Sequence, residues 1–397
     1  MGGYGVKCVY QHTGGFVMTH EKNAILYKNT YASLRDRIKE NGYAPTSVTG
    51  TYPGMFPRDA AEETFALMKN NDYECARKIL HYILTYHRKY DAQFGLHVIS
   101  DEYGPIISDR HQADTTFFIV RAWSIYCQNA PESAQKQEFL AATHDIIHRF
   151  VEHWMSNGCF STELQLLRNP SYEHARDTSY FNSYDLLTNT IMSQALHELS
   201  TAYRSFDADF AKYCGEIADT VADGIHKNLT ATVDGVTIYA EMRSLSKESG
   251  VTCEITEDTT FYEGFSGINF IIYGVDWYAG DPEILENTYV KTHQYCSELY
   301  DNQCVMVDAY ATKDQEGTYH CLGKHTMGKG IAWEIFYCLK TGRRDRIEDL
   351  TAYIVGHSED MYRETWAIGG GGGDTANQEH ASWMINAMKS AYPELEP

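Results

Sequence analysis

The sequence predicts an all-α protein, an (α/α)6 toroid in which outer and inner helices form two concentric rings. Three observations predict it. Helical periodicity recurs about twelve times along the chain. Segments apolar on one stripe alternate with segments apolar on most sides. Six long inserts each follow an amphipathic segment and lead into an apolar one. Two rings explain this pattern, because an inner helix touches neighbours on both sides and an outer helix on one. An irregular α-solenoid is the alternative, but no repeat of about 30–45 residues runs through the chain.

The elements follow in order. A first helix is expected near 17–41 and a second at 60–69. "YECARKILHYILTYHRKY" (73–90) sets Ala76, Ile79, Leu80, Ile83 and Leu84 on one stripe, with Asp72 placed as its cap. "HQADTTFFIVRAWSIYC" (111–127) is apolar around its axis and reads as an inner helix. The outer segment 138–155 carries Ile146, Ile147, Phe150 and Trp154, and the inner segment 181–203 carries Leu187, Ile191, Ala195 and Leu199. Segment 206–227 is amphipathic through Phe210, Cys214, Ile217 and Val221. The apolar "FSGINFIIYGV" (265–275), the amphipathic 282–300, the apolar "GIAWEIFYCL" (330–339), the charged-faced 343–355 and the apolar "HASWMINAM" (380–388) complete the alternation. All of this reads as one domain, 1–397.

The inserts are 42–59, 91–111, 156–180, 228–264, 301–329 and 356–379. If the outer helices share a direction, all six meet at one end of the toroid. Loops of that length in a compact domain are usually functional. "VDGVTIYAEM" within 228–264 reads as a small β-hairpin.

Composition narrows the partners. Lys and Arg total 33 against 54 Asp and Glu, a net charge of −21, which argues against nucleic acid and anionic membrane. No apolar run approaches the roughly 20 residues of a membrane span, and the N-terminus lacks the pattern of a signal peptide. Ten scattered cysteines without a Cys-x-x-Cys read as reduced thiols of a cytoplasmic protein. The 30 tyrosines suit sugar faces and also suit core edges.

The inserts bring polar groups to one place: Arg58 and Asp59; Gln112 and Asp114; Glu173, Arg176 and Asp177; Glu254, Glu257 and Asp258; His320, Lys324 and His325; and Arg363, Glu364, Trp366, Asp374 and Glu379. A funnel of carboxylates and aromatics is what acid–base cleavage of a glycosidic bond needs. One acid protonates the leaving oxygen and one carboxylate activates water.

The arrangement resembles the six-hairpin glycosidase superfamily, which holds glucoamylases, trehalases, processing α-glucosidases and α-rhamnosidases. "MFPRDAA" is similar to the entry to the second helix in glucoamylase-like enzymes, where Arg and Asp grip the terminal sugar. "HQADTTFFIVRAW", "GKGIAWEIF" and "RETWAIGGGGGDTANQEHASWMINAM" resemble the openings of the fourth helix, the tenth helix, and the last loop and helix.

The resemblance implies an exo-acting, inverting hydrolase of a terminal α-linked sugar that needs no cofactor and no metal. Arg58 and Asp59 would hold the sugar, with Gln112, Asp114, Trp366 and His325 beside them. Glucoamylases carry their acid in an Asp-Leu-Trp-Glu run. Here "YDLLTN" has Thr188 and Asn189 instead, so the acid falls to Asp177, with Asp185 and Glu173 as alternatives. The base is Glu364 or Glu379, the latter opening a helix whose N-terminus favours a carboxylate. An epimerase or uronyl hydrolase on the same toroid, and a non-catalytic binding or scaffold protein, are the competing readings.

Three motifs read as structural. "HDIIH" (144–148) has zinc-like spacing without the motif's acid and is expected on the solvent side of an outer helix. "GGGGG" (369–373) is no phosphate loop and reads as a lid segment. Trp123, Trp333 and Trp383 are expected in the core, with Trp366 as a sugar platform.

Overall fold

A computed structural model describes residues 13–52, 54–89, 98–100, 104–106, 112–168, 184–245, 253–254, 270–299, 308–313, 319–367 and 373–397. Twelve α-helices run through them: α1 (Thr13–Asp36), α2 (Pro57–Lys69), α3 (Tyr73–Lys89), α4 (Ala113–Asn129), α5 (Ala134–Ser156), α6 (Leu186–Ala202), α7 (Ala208–Asn228), α8 (Ile271–Gly274), α9 (Pro282–Leu299), α10 (Gly328–Thr341), α11 (Arg344–His357) and α12 (Gln378–Ala391). The even-numbered helices form a closed inner ring. α2 packs on α4, α4 on α6, α6 on α8, α8 on α10, α10 on α12, and α12 back on α2. The odd-numbered helices lie outside them. The toroid expected from the alternation is the observed architecture.

Burial follows the two patterns. Along α4 every residue from Ala113 to Val120 is buried, and along α6 every residue from Leu186 to Leu196. The outer α3 buries the stripe Ala76, Ile79, Leu80, Ile83 and Leu84, and Asp72 caps it by accepting the Cys75 N–H at 3.3 Å. Trp123, Trp154, Trp333 and Trp383 are core residues, as their apolar helices imply. "HDIIH" departs from expectation. Its histidines face the next hairpin: His144 stacks on Phe206 at 5.0 Å and His148 meets Phe210 at 3.9 Å.

The inserts hold more strand than the single hairpin expected. That hairpin exists as β6 (Thr230–Val233) and β7 (Val236–Tyr239), turning on Asp234 and Gly235, both with positive φ. Besides it, β1 (Val98–Ser100) pairs with β2 (Gly104–Ile106), and β3 (Phe160–Ser161) with β4 (Leu166–Leu167). β5 (Tyr184–Asp185), β8 (Met242–Leu245) and β9 (Cys253–Glu254) form one three-stranded sheet, and β10 (Asp308–Lys313), β11 (Tyr319–Met327) and β12 (Thr365–Ala367) another. β11 runs directly into α10, so the β11–β12 ladder ties the fifth insert to the sixth. Short strands let long inserts satisfy backbone groups that would otherwise be buried unpaired.

An ion network around the buried Glu334 ties α9, α10 and α11. Glu334 Oε1 accepts from Arg346 Nε at 2.7 Å, His293 Nε2 at 2.9 Å and Tyr289 Oη at 3.0 Å. Burial works against its charge, but Arg346 and then His293 outweigh it and hold the carboxyl at about 2. The folded value lies below the unfolded one, so this contribution is present above about pH 4.5 and is lost as the pH falls toward 2. Arg346→Ala would strand the charge and should cost about 3–5 kcal/mol, read as a lower denaturant midpoint at unchanged slope.

Candidate active site

The stretch "TYPGMFPRD" builds the lip of the site. Gly54 takes φ 110, and its carbonyl accepts the Thr46 N–H at 2.9 Å. Met55 bridges to Ile99, and the Phe56 N–H donates to Thr46 Oγ1 at 3.1 Å. Pro57 then occupies the first position of α2, where its missing N–H costs nothing. Arg58 and Asp59 follow in the first turn, facing the toroid axis.

Four inner helices deliver charged groups from their first turns: Arg58 and Asp59 from α2, Asp114 from α4, Lys329 from α10, Glu379 and His380 from α12. All six are buried. Helix N-termini favour the carboxylates among them. Arg58 is the hub, with Nη2 3.3 Å from Asp59 and 3.6 Å from Glu379, and Nη1 3.4 Å from Asp114. These contacts are long beside the roughly 2.7–2.9 Å of charge-assisted hydrogen bonds. Lys329 Nζ, by contrast, is 2.6 Å from Glu379 Oε1, and His380 Nε2 is 3.4 Å from Glu379 Oε2.

The electrostatics separate the acids. Burial raises Asp59 to about 7, against the pull of Arg58 and with added repulsion from Glu379. A folded value above the unfolded 3.8 means that Asp59 makes the fold less stable as pH climbs from about 4 to 7. Burial also raises Asp114, with Arg58 opposing it. Glu62, one turn along α2, is pushed well up by burial and then by Glu379, and accepts the Trp383 indole N–H at 2.9 Å. Glu379 goes the other way. Burial opposes its charge, but Arg58 and then Lys329 hold it well below the usual range. Asp59, Glu62 and Glu379 present carboxylate oxygens within 4.8 Å of one another, the spacing of a metal cage. Arg58 and Lys329 already stand among them as fixed cations, so the donor set does not suit a resident metal.

Glu364 sits above this floor. It lies between α10 and the last insert: its N–H donates to Asp374 O, and its carbonyl accepts the Gly328 N–H, both at 2.8 Å. Its side chain is half-buried. Tyr52 Oη donates to Oε1 at 2.5 Å, and the Asp374 N–H to Oε2 at 3.3 Å. Burial and then the Glu364 charge raise the Tyr52 phenol, which keeps it a donor. Asp374 is itself held by Thr49 Oγ1 at 2.6 Å. Gly328 is required for the close approach, because a Cβ there would lie 2.8 Å from Arg363 O. Gly328→Ala should therefore displace the Glu364 strand and lower turnover about tenfold, with a smaller change in thermal midpoint.

The remaining expected residues divide. Gln112 is buried at the start of α4 and accepts from Thr115 Oγ1 at 3.2 Å. His325 lies in β11 opposite Asp308 and Ala367, three residues before α10. Asp177 and Glu173 fall outside the described residues, as do Arg176, Glu257, Asp258 and four of the five residues of "GGGGG". Asp185, the alternative acid, is the N-cap of α6 and accepts the Thr188 N–H at 2.6 Å. In the same stretch Asn189 bridges both backbone groups of Leu167. "YDLLTN" is thus a capping device. Trp366 does not fit a sugar platform. It is 1% exposed, donates to Ser358 Oγ at 3.2 Å and meets Tyr353 of α11 edge-on. Tyr52 and Lys329 were missed. Tyr52 stands six residues before Arg58, and Lys329 stands inside the quoted "GKGIAWEIF", where their roles depend on contacts distant in sequence.

No protein-family model and no curated protein sequence matches the chain. Solved structures do. A glycosidase bound to glucose aligns at TM-score 0.66 and 12% identity, over 98% of this chain and 100% of that one. The glucoamylase of Saccharomycopsis fibuligera aligns at 0.64 and 12%, over 99% and 98%. A metal-independent α-mannosidase from Streptococcus pneumoniae, in complex with α-1,6-mannobiose, aligns at 0.61 and 13%, over 95% and 94%. The chain shares its (α/α)6 fold with these glycosidases. Its inner-helix N-termini carry the Arg58 cluster, and no helix among the described residues is long and apolar enough to cross a membrane.

Proposed function

We propose that the protein is an inverting, exo-acting glycoside hydrolase that removes a terminal α-linked sugar from a small oligosaccharide or glycoconjugate. One observation carries this: the half-buried Glu364 carboxylate is oriented by Tyr52 and the Asp374 N–H, near enough to Asp59 for its charge to act on that acid. A general base needs a fixed carboxylate with access to water, and Glu364 has both. Glu379 is a poor base, since Lys329, His380 and Arg58 occupy its oxygens. It acts instead as the anchor that fixes Arg58.

In the proposed reaction Arg58 donates to hydroxyls of the terminal sugar and Asp59 accepts from them. Asp177 protonates the leaving oxygen, and Glu364 takes a proton from the attacking water. The structural neighbours bound to glucose and mannobiose support a carbohydrate ligand in this fold. The whole chain would act as one catalytic domain, with no cofactor, and its cysteine-bearing, acidic composition supports a cytoplasmic setting.

A panel of aryl α- and β-glycosides tests the assignment. Wild type should release the aryl group from at least one α-glycoside, and Asp177→Asn and Glu364→Gln should each abolish most of that activity. Retained turnover in both variants would overturn the site, and no hydrolysis by wild type would favour a binding protein.

A further inference from the structure

A cavity of about 490 Å3 opens at the opposite end of the toroid. It is lined by the later turns of α2, α4, α10 and α12 and by the end of α8, whereas the Arg58 cluster occupies the first turns of the same ring. Its walls carry rings: Phe65, Phe336 and Trp383.

Arg121, Lys340 and Asp276 on the wall are already neutralised, and Lys69 is exposed at the end of α2. Arg121 Nε lies 3.2 Å from Glu198, with its guanidinium 5.2 Å from the Phe65 centroid, and Lys340 is 2.6 Å from Asp276. Uncharged polar groups line it too, namely the Asn386 amide and the Tyr73 hydroxyl. Behind the wall, Trp333 is 1% exposed and its Nε1 has no acceptor. It adjoins Gly274 of the lining, where a Cβ would stand 2.5 Å from that nitrogen.

We propose that this cavity is a second sugar site, which takes an uncharged mono- or disaccharide. Paired charges disfavour an ionic ligand, because binding one would break an existing ion pair. Aromatic walls beside neutral hydrogen-bonding groups suit a molecule with an apolar C–H face and hydroxyl edges. The volume falls within the roughly 300–1,000 Å3 of small-molecule sites. The site also reaches the funnel floor. Trp383 forms part of the cavity wall while its Nε1 holds Glu62, a member of the buried acid cluster. A sugar held against the wall that Trp383 backs therefore bears, through that indole, on the group beneath Asp59.

The six tryptophan indole N–H signals provide the test. The 15N-labelled full chain is titrated with methyl α-glucopyranoside, methyl α-mannopyranoside, maltose and, as an apolar guest, cyclohexanol. The Trp333 and Trp383 signals should shift and saturate with at least one sugar. In Ile125→Trp, which narrows the cavity with a larger ring, those shifts should shrink at a given sugar concentration while the thermal midpoint stays near wild type. Asn386→Ala, which leaves the walls intact, should raise the half-saturating concentration roughly fivefold, the weight of one lost hydrogen bond. Unchanged sugar shifts in both variants, or shifts with cyclohexanol alone, would overturn the proposal. Hydrolysis of an aryl α-glycoside by Ile125→Trp reads the funnel separately, so the far-end site and the funnel assignment can fail independently.

Discussion

Glu364→Gln should lower kcat about a thousandfold on any glycoside that wild type hydrolyses, with KM changed less than threefold. General base catalysis contributes roughly 10²–10⁴, so a thousandfold loss corresponds to about 4 kcal/mol of barrier. An equal fall in kcat and kcat/KM is the mark of an interaction made only in the transition state. The amide oxygen can still accept the Asp374 N–H while its NH2 donates to the Tyr52 phenol oxygen, so the local structure should survive. Tyr52→Phe removes one orienting bond and should cost about tenfold in kcat. A Glu379→Gln variant should behave differently. It releases Arg58 and Lys329, so it should raise KM and lower the thermal midpoint together. Steady-state kinetics and thermal melts of the three variants check this directly.

Arg58→Ala should have the largest effect on stability. It leaves Asp59, Asp114 and Glu379 buried around a missing cation, and stripping one partner from a buried ion pair costs about 3–5 kcal/mol. At roughly 2.1 cal/mol/K of unfolding entropy per residue, the midpoint of a chain this long should fall on the order of 5 °C. The cost should depend on pH in a fixed direction. Near pH 4 the stranded carboxyls can protonate and the loss is small. As pH rises toward 8 the fold must either ionise them or keep binding protons that the unfolded chain has released, so the loss grows. Arg58→Lys keeps the charge and should recover part of the stability. It lacks the planar fork that meets adjacent hydroxyls and carboxylates, so substrate binding should stay weak.

The architecture was legible because it rests on repeated local signals. Stripes such as Ala76–Ile79–Leu80–Ile83 mark an outer helix, and all-round apolar runs such as Phe117–Phe118–Ile119–Val120 mark an inner one. Twelve such segments in alternation leave few ways to bury every apolar face. The Arg58–Asp59 cluster was legible for a related reason. Prolines and a glycine before an Arg–Asp pair mark the mouth of a helix and put both side chains in its first turn.

The rest of the site depends on long-range contacts. Glu364 and Glu379 are equally acidic in sequence. What separates them is Tyr52, 312 positions before Glu364, and Lys329, 50 positions before Glu379. Trp366 looked like a platform because its loop looked exposed. Strand pairing with β11 draws it under α11 and buries it. Asp185 looked like an acid because the missing Asp-Leu-Trp-Glu run left a gap. Its backbone position makes it a helix cap instead. The strands of the inserts escaped detection because most are two to four residues long, too short for a period-two pattern.

The first-formed anomer tests the central claim most directly. An oriented base that activates water on the face opposite the leaving group inverts the anomeric carbon in one step. Proton NMR during the first minutes of hydrolysis of an α-glycoside should show the β-anomer ahead of mutarotation. The α-anomer appearing first would mean a covalent glycosyl-enzyme and would contradict Glu364 as a base acting on water.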